Sequence, residues 1–283
     1  MPTSIVVTGA SGFIGSKLVK CLRKILGFKV YAISKSIKNS DFVYVKSFLE
    51  LPKSDIIIHL GQNSNRSMVN KKKDLVKEAL DDLDMIISKK FKQIVFCSSS
   101  SVYGDKGLQP YKENAFVYEY DNYSSMKIKS EKKVINASGC VLRLSNVIGK
   151  EMSQNTVLME IVNHLGLEKE LILKDGNPIR DFISLDYVIK VMIKVIELNC
   201  SGIYNVGSNN GISIKQLTGL VLNEANEPNR TFSFKEKRLK YSYNVLNTSK
   251  LKNLLGKENL FSIKNTILDL INYEKKNNSN LYR

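Results

Sequence analysis

Gly9-Ala10-Ser11-Gly12-Phe13-Ile14-Gly15 follows the β-branched run Ser4-Ile5-Val6-Val7-Thr8 and leads into Phe13 to Leu26, where Ile14, Leu18, Leu22 and Ile25 recur at helical spacing. The order is strand, glycine turn, helix. Glycine at three points lets the backbone turn tightly, come close to an anion and seat the helix on the sheet, while the helix N-terminus faces that anion. A glycine triplet alone is a weak signal, but between a strand and a helix it points to a dinucleotide pyrophosphate.

Outward from this turn the alternation repeats. Strand-like runs at Val30 to Ile33, Ile56 to Leu60, Gln93 to Cys97 and Gly139 to Leu144 are interleaved with helical patterns at Lys71 to Ser88 and Tyr123 to Asn136. Strands separated by helices imply right-handed crossovers and a parallel sheet covered on both faces. The expected class is therefore α/β, a Rossmann doubly wound parallel sheet. After Leu144 come helix-like Asn155 to Leu165, a short Leu171 to Leu173 strand, helix Leu185 to Leu198, strand Gly202 to Val206 and a mainly helical stretch from Ser213. The expected division is a core over residues 1–146, completed by about 181–206, and a small C-terminal substrate-binding lobe over 147–180 and 207–283.

With 283 residues, 43% of them hydrophobic, the chain can build a real interior without staples. Its four cysteines, Cys21, Cys97, Cys140 and Cys200, lie far apart with no C-x-x-C pair, which suggests free core thiols rather than disulfides or a zinc site. No run is long and apolar enough for a membrane span, and no leader-like segment precedes the first strand. A cytoplasmic, soluble chain is expected. The net charge of +16 comes mostly from scattered lysines without a basic-aromatic signature, so it reads as a solvated surface and not as a nucleic-acid face. An anionic small substrate would still benefit from the field.

The end of the second strand, Tyr31-Ala32-Ile33-Ser34-Lys35-Ser36, offers no carboxylate to an adenosine ribose. Lysine and hydroxyls suit a 2′-phosphate that a carboxylate would repel, so Ser34 and Lys35 favour NADP(H), with NAD(H) as the other possibility.

Further on, Phe96-Cys97-Ser98-Ser99-Ser100-Ser101-Val102-Tyr103-Gly104 ends a buried strand and Tyr123-Ser124-Ser125-Met126-Lys127 begins a helix. Residues four apart share a helix face, so Tyr123 and Lys127 project together. The glycine turn, the serine strand and Y-x-x-x-K, in this order, resemble the extended short-chain dehydrogenase/reductase family, whose members include nucleotide-sugar epimerases, dehydratases and reductases. Asp55-Ile56-Ile57-Ile58-His59-Leu60, Leu142-Arg143-Leu144-Ser145-Asn146-Val147-Ile148-Gly149, Gly176-Asn177-Pro178-Ile179-Arg180-Asp181-Phe182-Ile183 and Ile203-Tyr204-Asn205-Val206-Gly207 extend the resemblance over most of the chain.

The resemblance implies a catalytic trio: Tyr123 exchanges a proton with the sugar oxygen, Lys127 bonds the nicotinamide ribose and lowers the tyrosine pKa, and Ser99 holds the same oxygen. Bringing a phenol from about 10 to near 7 needs roughly 4 kcal/mol. Gly9, Ser11, Gly12, Phe13, Ile14, Gly15 and Leu60 are the other implied coenzyme contacts, and the implied partner is a nucleotide-diphosphate sugar bound by Ser100, Ser101, Asn146, Asn155 and Arg180. Arg238 is a weaker substrate candidate, because Lys237-Arg238-Leu239-Lys240 departs from the family's R-P-G-D. A homodimer through the helix after Lys71 and the Tyr123 helix is likewise implied, and no metal is.

The residues around Ser99 narrow the reaction. Ser100 and Ser101 stand where the family's 4,6-dehydratases carry Asp-Glu, which argues against dehydration. Ser101 also occupies the cysteine place of the 3,5-epimerase/reductases, and His164 has no evident match there. His59 reads as structural. The expected chemistry is reduction of the C4 ketone of a nucleotide-linked 4-keto-6-deoxy sugar, with a 4-epimerase as the alternative and a non-catalytic dinucleotide-binding regulatory or scaffold protein as the reading of another class.

Overall fold

Ile5, Val6 and Val7 are wholly buried, and a strand built of β-branched residues with no exposed face belongs in the middle of a covered parallel sheet. The computed structural model places it there, and describes residues 2–37, 39–236, 241–256 and 261–277. In chain order the elements are β1 (Thr3–Thr8), α1 (Phe13–Leu22), β2 (Phe28–Ser34), β3 (Val43–Tyr44), β4 (Ile56–His59), α2 (Arg66–Lys71), α3 (Asp74–Ser88), β5 (Gln93–Ser99), α4 (Asn122–Asn136) and β6 (Cys140–Leu144). They continue as β7 (Asn146–Ile148), α5 (Val157–Val162), β8 (Leu171–Leu173), β9 (Ile179–Ser184), α6 (Leu185–Glu197), β10 (Gly202–Val206) and β11 (Gly211–Ser213). The last described elements are α7 (Ile214–Glu224), β12 (Phe232–Phe234), β13 (Tyr243–Asn244), α8 (Ser249–Leu255) and α9 (Ile263–Asn277).

The main sheet has the order β10-β6-β5-β4-β1-β2-β3, and every neighbouring pair is parallel. Side chains alternate across it. Ile5 and Val7 pack with Leu18 of α1 and with Val188 and Met192 of α6, while Val6 packs on the opposite face with Leu83 and Ile86 of α3 and Val134 of α4. The sheet is thus wound on both faces. Chain reversals leave the ends of β1, β4, β5 and β6 open at one edge, where an α/β sheet places its ligands.

Ile148, Leu158, Ile161, Leu171, Leu217, Val221, Leu270 and Ile271 form a separate apolar cluster beyond that edge. A small sheet, β11-β9-β13 with β7 also on β9, joins this cluster to the core.

The helix expected over Lys71 to Ser88 is α3 and begins three residues later, at Asp74, because Lys71 ends a separate helix, α2, which Asn65 caps and the extended backbone of Lys72 stops. The lysine run supplies no apolar anchor there, and the buried stripe of Ala79, Leu83 and Ile86 begins afterwards. The described residues after Ser213 are mainly helical, as expected, but two short strands interrupt them, β12 on β8 and β13 on β9, partners too distant for local periodicity to register. No helix among the described residues is long and apolar enough to cross a membrane.

Candidate active site

Gly9 has φ +64, and a Cβ there would lie 2.6 Å from the Leu60 carbonyl oxygen. A Cβ on Gly15 would strike the Gly9 carbonyl. Both positions therefore need glycine to bring turn, helix and β4 together. Gly12 caps α1 without a side chain, which leaves the first-turn N–H groups facing a cleft of about 380 Å³. Gly9, Gly12, Phe13, Ile14, Gly15 and Leu60 line it, with Ser99, Tyr123 and Lys127 at its far end. Ser145 is also in the wall, 7% exposed, and its hydroxyl has no partner among the described residues. A glycine cradle, a helix N-terminus and an orphaned buried hydroxyl fit a dinucleotide.

Three expected coenzyme contacts lie outside this cleft. Ser11 is exposed. Ser34 is buried, its hydroxyl accepting from the backbone of Ser36 and Ile37 to close the turn after β2. Lys35 donates to both carboxylate oxygens of Asp82, at 3.1 and 3.0 Å, and lies over the Phe48 ring. His59 is fully enclosed, its Nδ1 2.8 Å from the Thr8 hydroxyl and its ring stacked on Phe96. Burial, then the charges of Lys127 and Lys35, depress its pKa to about 3, so it is neutral.

The trio is brought together by two elements. β5 ends at Ser99, and α4 begins at Asn122 because Asp121 caps it in a reciprocal box with Ser124. Tyr123 and Lys127 then lie one turn apart on the buried face. Burial raises the Tyr123 phenol above its ordinary value, while a hydrogen bond with Ser99 and the nearby Arg66 charge pull it down. Lys127 is not what pulls on it here. Its ammonium, 5.9 Å from the Tyr123 ring centre, donates to the Cys97 carbonyl and to Gln62 Oε1, each at 3.1 Å. Burial lowers its pKa to about 8, against the partial support of Cys97 and Glu131.

Behind Ser99 the strand alternates. Ser98 points the other way and donates to Glu131 Oε1 at 2.5 Å. Glu131 is ion-paired with Arg143, both side chains 4% exposed, and Arg143 donates to the Tyr103 hydroxyl, which donates to Asn205.

On the other side of Tyr123 and Ser99 lies a second cleft, of about 570 Å³, lined by Ser100, Ser101, Asn146 and Arg180 among others. Both volumes suit small ligands. Ser64, Ser99 and Tyr123 line both clefts, so the phenol and the serine hydroxyl stand at their seam. The Ser101 hydroxyl is buried without a partner among the described residues. Asn146 donates to the Asp181 carbonyl, and Arg180 donates to Ser242 Oγ at 2.7 Å, which in turn donates to Asp105. Asn155 is not with them: it lines an adjoining cleft with Arg66, Lys71 and Lys72, because Thr156 rather than Asn155 caps α5. Arg238 lies outside the described residues.

Sequence reasoning missed Arg66, Asp105, Tyr118, Tyr120 and Asn244 in the second cleft and Gln62 in the first. Arg66 Nε donates to Asp121 at 2.8 Å and its guanidinium lies over the Tyr120 ring, which fixes it beside Tyr123. Gln62, Asp105, Tyr118 and Tyr120 come from loops, Arg66 begins α2 and Asn244 ends β13, and only the Asn65 cap before Arg66 gives a local signal.

The model of the NAD dependent epimerase/dehydratase family matches residues 5–207. The chain is 27% identical over 253 residues to ADP-L-glycero-D-manno-heptose-6-epimerase of Brachyspira hyodysenteriae, covering 75% of this chain and 78% of the relative. It is also 27% identical over 237 residues to GDP-6-deoxy-D-talose 4-dehydrogenase of Aggregatibacter actinomycetemcomitans, covering 77% and 78%. Among solved structures, a mutant UDP-glucuronic acid 4-epimerase of Bacillus cereus, in complex with UDP-4-deoxy-4-fluoro-glucuronic acid and NAD, superposes with a TM-score of 0.82. That match has 21% identity and covers 97% of this chain and 99% of the other.

Proposed function

Because the chain belongs to the NAD dependent epimerase/dehydratase family, we propose that it reduces the C4 ketone of a nucleotide-linked 4-keto-6-deoxy sugar. The observation that carries this reading is the seam: Ser99 and Tyr123 line both the glycine-cradled cleft and the cleft of Ser100, Ser101, Asn146 and Arg180. A bound nicotinamide dinucleotide supplies the hydride. Tyr123 donates the proton to the C4 oxygen, Ser99 holds that oxygen, and Lys127 bonds the nicotinamide ribose. Asn146 and Arg180 hold the diphosphate, with Arg66 on the facing wall.

Serines at 100 and 101 leave no acid–base pair beside Ser99 for dehydration, and Asp105, the carboxylate in that cleft, accepts from Ser242. The 4-dehydrogenase activity in the name of the Aggregatibacter relative supports hydride chemistry at C4 of a 6-deoxy sugar. The name of the Bacillus structure favours the second reading, a 4-epimerase, and that of the Brachyspira relative, a 6-epimerase, supports epimerisation of a nucleotide sugar at another carbon.

NADPH is the preferred coenzyme in this reading, since β2 ends without a carboxylate; Lys35 reaches a 2′-phosphate only when its ion pair with Asp82 opens. Residues 147–180 and 207–283 form the substrate lobe in this reading, and α3 with α4 forms the homodimer face; elution at the mass of a single chain overturns the dimer. The decisive experiment offers the purified chain UDP-, GDP-, CDP- and dTDP-linked 4-ketosugars with NADPH or NADH, following nicotinamide absorbance and identifying products by NMR. Coenzyme oxidation with a new C4 hydroxyl is expected. Given the corresponding nucleotide hexoses, interconversion of two of them without net oxidation establishes the epimerase instead, and inertness toward ketosugars and hexoses alike refutes both.

A further inference from the structure

Gln62 lies in the loop between β4 and α2, and its amide has two partners on the catalytic helix. Its Oε1 accepts from Lys127 Nζ at 3.1 Å, and its Nε2 donates to the Ser130 hydroxyl at 2.7 Å. An ammonium only donates, so the first contact fixes which way the amide faces, and the second holds it there. The Cys97 carbonyl takes another ammonium hydrogen, also at 3.1 Å. An ammonium has three N–H bonds, which leaves one. Gln62 and Lys127 both line the glycine-cradled cleft, so that remaining N–H belongs to whatever fills it.

We propose that Gln62 is a positioning residue that clamps Lys127 and presents a single ammonium N–H to the ribose of the bound coenzyme. This rests on the reading of Lys127 as the ribose contact. The nature of the clamp matters as much as its place. Around Lys127 stand the Cys97 thiol and Phe96 ring on β5, the neutral His59 on β4, and Tyr123 and Glu131 on α4. Glu131 already serves Arg143 and Ser98. The side-chain partner in direct contact with the ammonium is therefore a neutral amide. A carboxylate in its place would lock the lysine into an ion pair and compete for the last N–H; an alkyl group would leave a buried cation short of an acceptor.

The test needs no sugar. NADH and NADPH are titrated by fluorescence into the full chain across a pH series, for the parent, Gln62→Leu, Gln62→Glu and Ser130→Ala. Gln62→Leu should weaken both coenzymes at neutral pH by at least about tenfold, as for loss of one hydrogen bond to a charged group, and should lose binding at lower pH than the parent. Gln62→Glu should keep binding to higher pH, and Ser130→Ala should fall between parent and Gln62→Leu. A structural role alone would reduce stability without moving the pH at which affinity is lost. Parent-like pH profiles in both Gln62 variants overturn the clamp while leaving the sugar chemistry untouched, and if Gln62→Leu does not fold, the Gln62→Glu profile decides. A parent chain whose coenzyme affinity ignores pH throughout overturns Lys127 as the ribose contact, and the clamp with it.

Discussion

Lys127→Met should remove activity while leaving the protein at least as stable as the parent at neutral pH. Lys127 is 6% exposed, and burial holds its pKa at about 8 against 10.5 for a free lysine. Keeping it charged in the fold therefore costs roughly 3 kcal/mol relative to the unfolded chain, with little solvent screening to reduce the figure. Methionine fills the volume of the stem without a charge. The opposing loss is at the Cys97 carbonyl and Gln62 Oε1, which forfeit their donor at about 1–3 kcal/mol together. The net change runs from nearly nothing to about 2 kcal/mol of stabilisation.

The pH dependence gives the sign. Below the folded pKa both states hold the proton and the penalty is full; between the folded and unfolded values the unfolded chain binds more protons, so parental stability rises with pH. The variant lacks that rise. Urea unfolding of both proteins at neutral pH and at about pH 10 measures it, other titrating groups cancelling in the difference. Parental stability should gain on the variant by about 2 kcal/mol between the two conditions. A gap that does not change with pH refutes a buried cationic lysine, and unreduced turnover in the variant refutes its chemical role.

Tyr123→Phe should reduce turnover by about 10²–10⁴-fold while coenzyme titration stays near the parental curve, because the phenol and not the ring carries the proton. Glu131→Gln should destabilise by about 3–5 kcal/mol in urea, since it leaves the Arg143 guanidinium buried beside a neutral amide; a loss below about 1 kcal/mol means that this pair is solvated. Asp82→Ala releases Lys35 and should raise the preference for NADPH over NADH several-fold at low salt, an effect that fades as ionic strength rises. An unchanged coenzyme ratio shows that Lys35 does not reach the phosphate.

What could be read from the sequence was what local spacing encodes. The glycine turn announces itself within seven residues, and Tyr123 and Lys127 share a face by helix geometry alone. Ser99 is placed by ending a strand whose partners are equally apolar. The ion pair of Lys35 is invisible in the sequence because its carboxylate, Asp82, lies 47 residues away on a neighbouring helix. Asn155 lies in the adjoining cleft, where the threonine next to it takes the cap and starts α5. Gln62, Tyr118 and Tyr120 have no period at all, being held by loops that only the assembled sheet brings to one edge, and Arg66 stands at the first position of a six-residue helix. Arg66 in particular owes its position to Asp121 and Tyr120, more than fifty residues further along the chain.

The serine run on β5 raises a problem of degeneracy. Ser98 serves Glu131, and Ser99 stands at the seam of the two clefts, yet a slip of one residue would exchange two chemically identical side chains. Hydroxyl chemistry cannot tell the two alignments apart. The distinction is made at the far end of the strand, where Gln93 donates to the carbonyls of Val195 and Cys200, and by Phe96 stacked on His59. In the proposed chemistry, which serine faces the sugar is thus set by residues that line neither cleft, and a substitution at Gln93 is expected to lower activity by misaligning the strand.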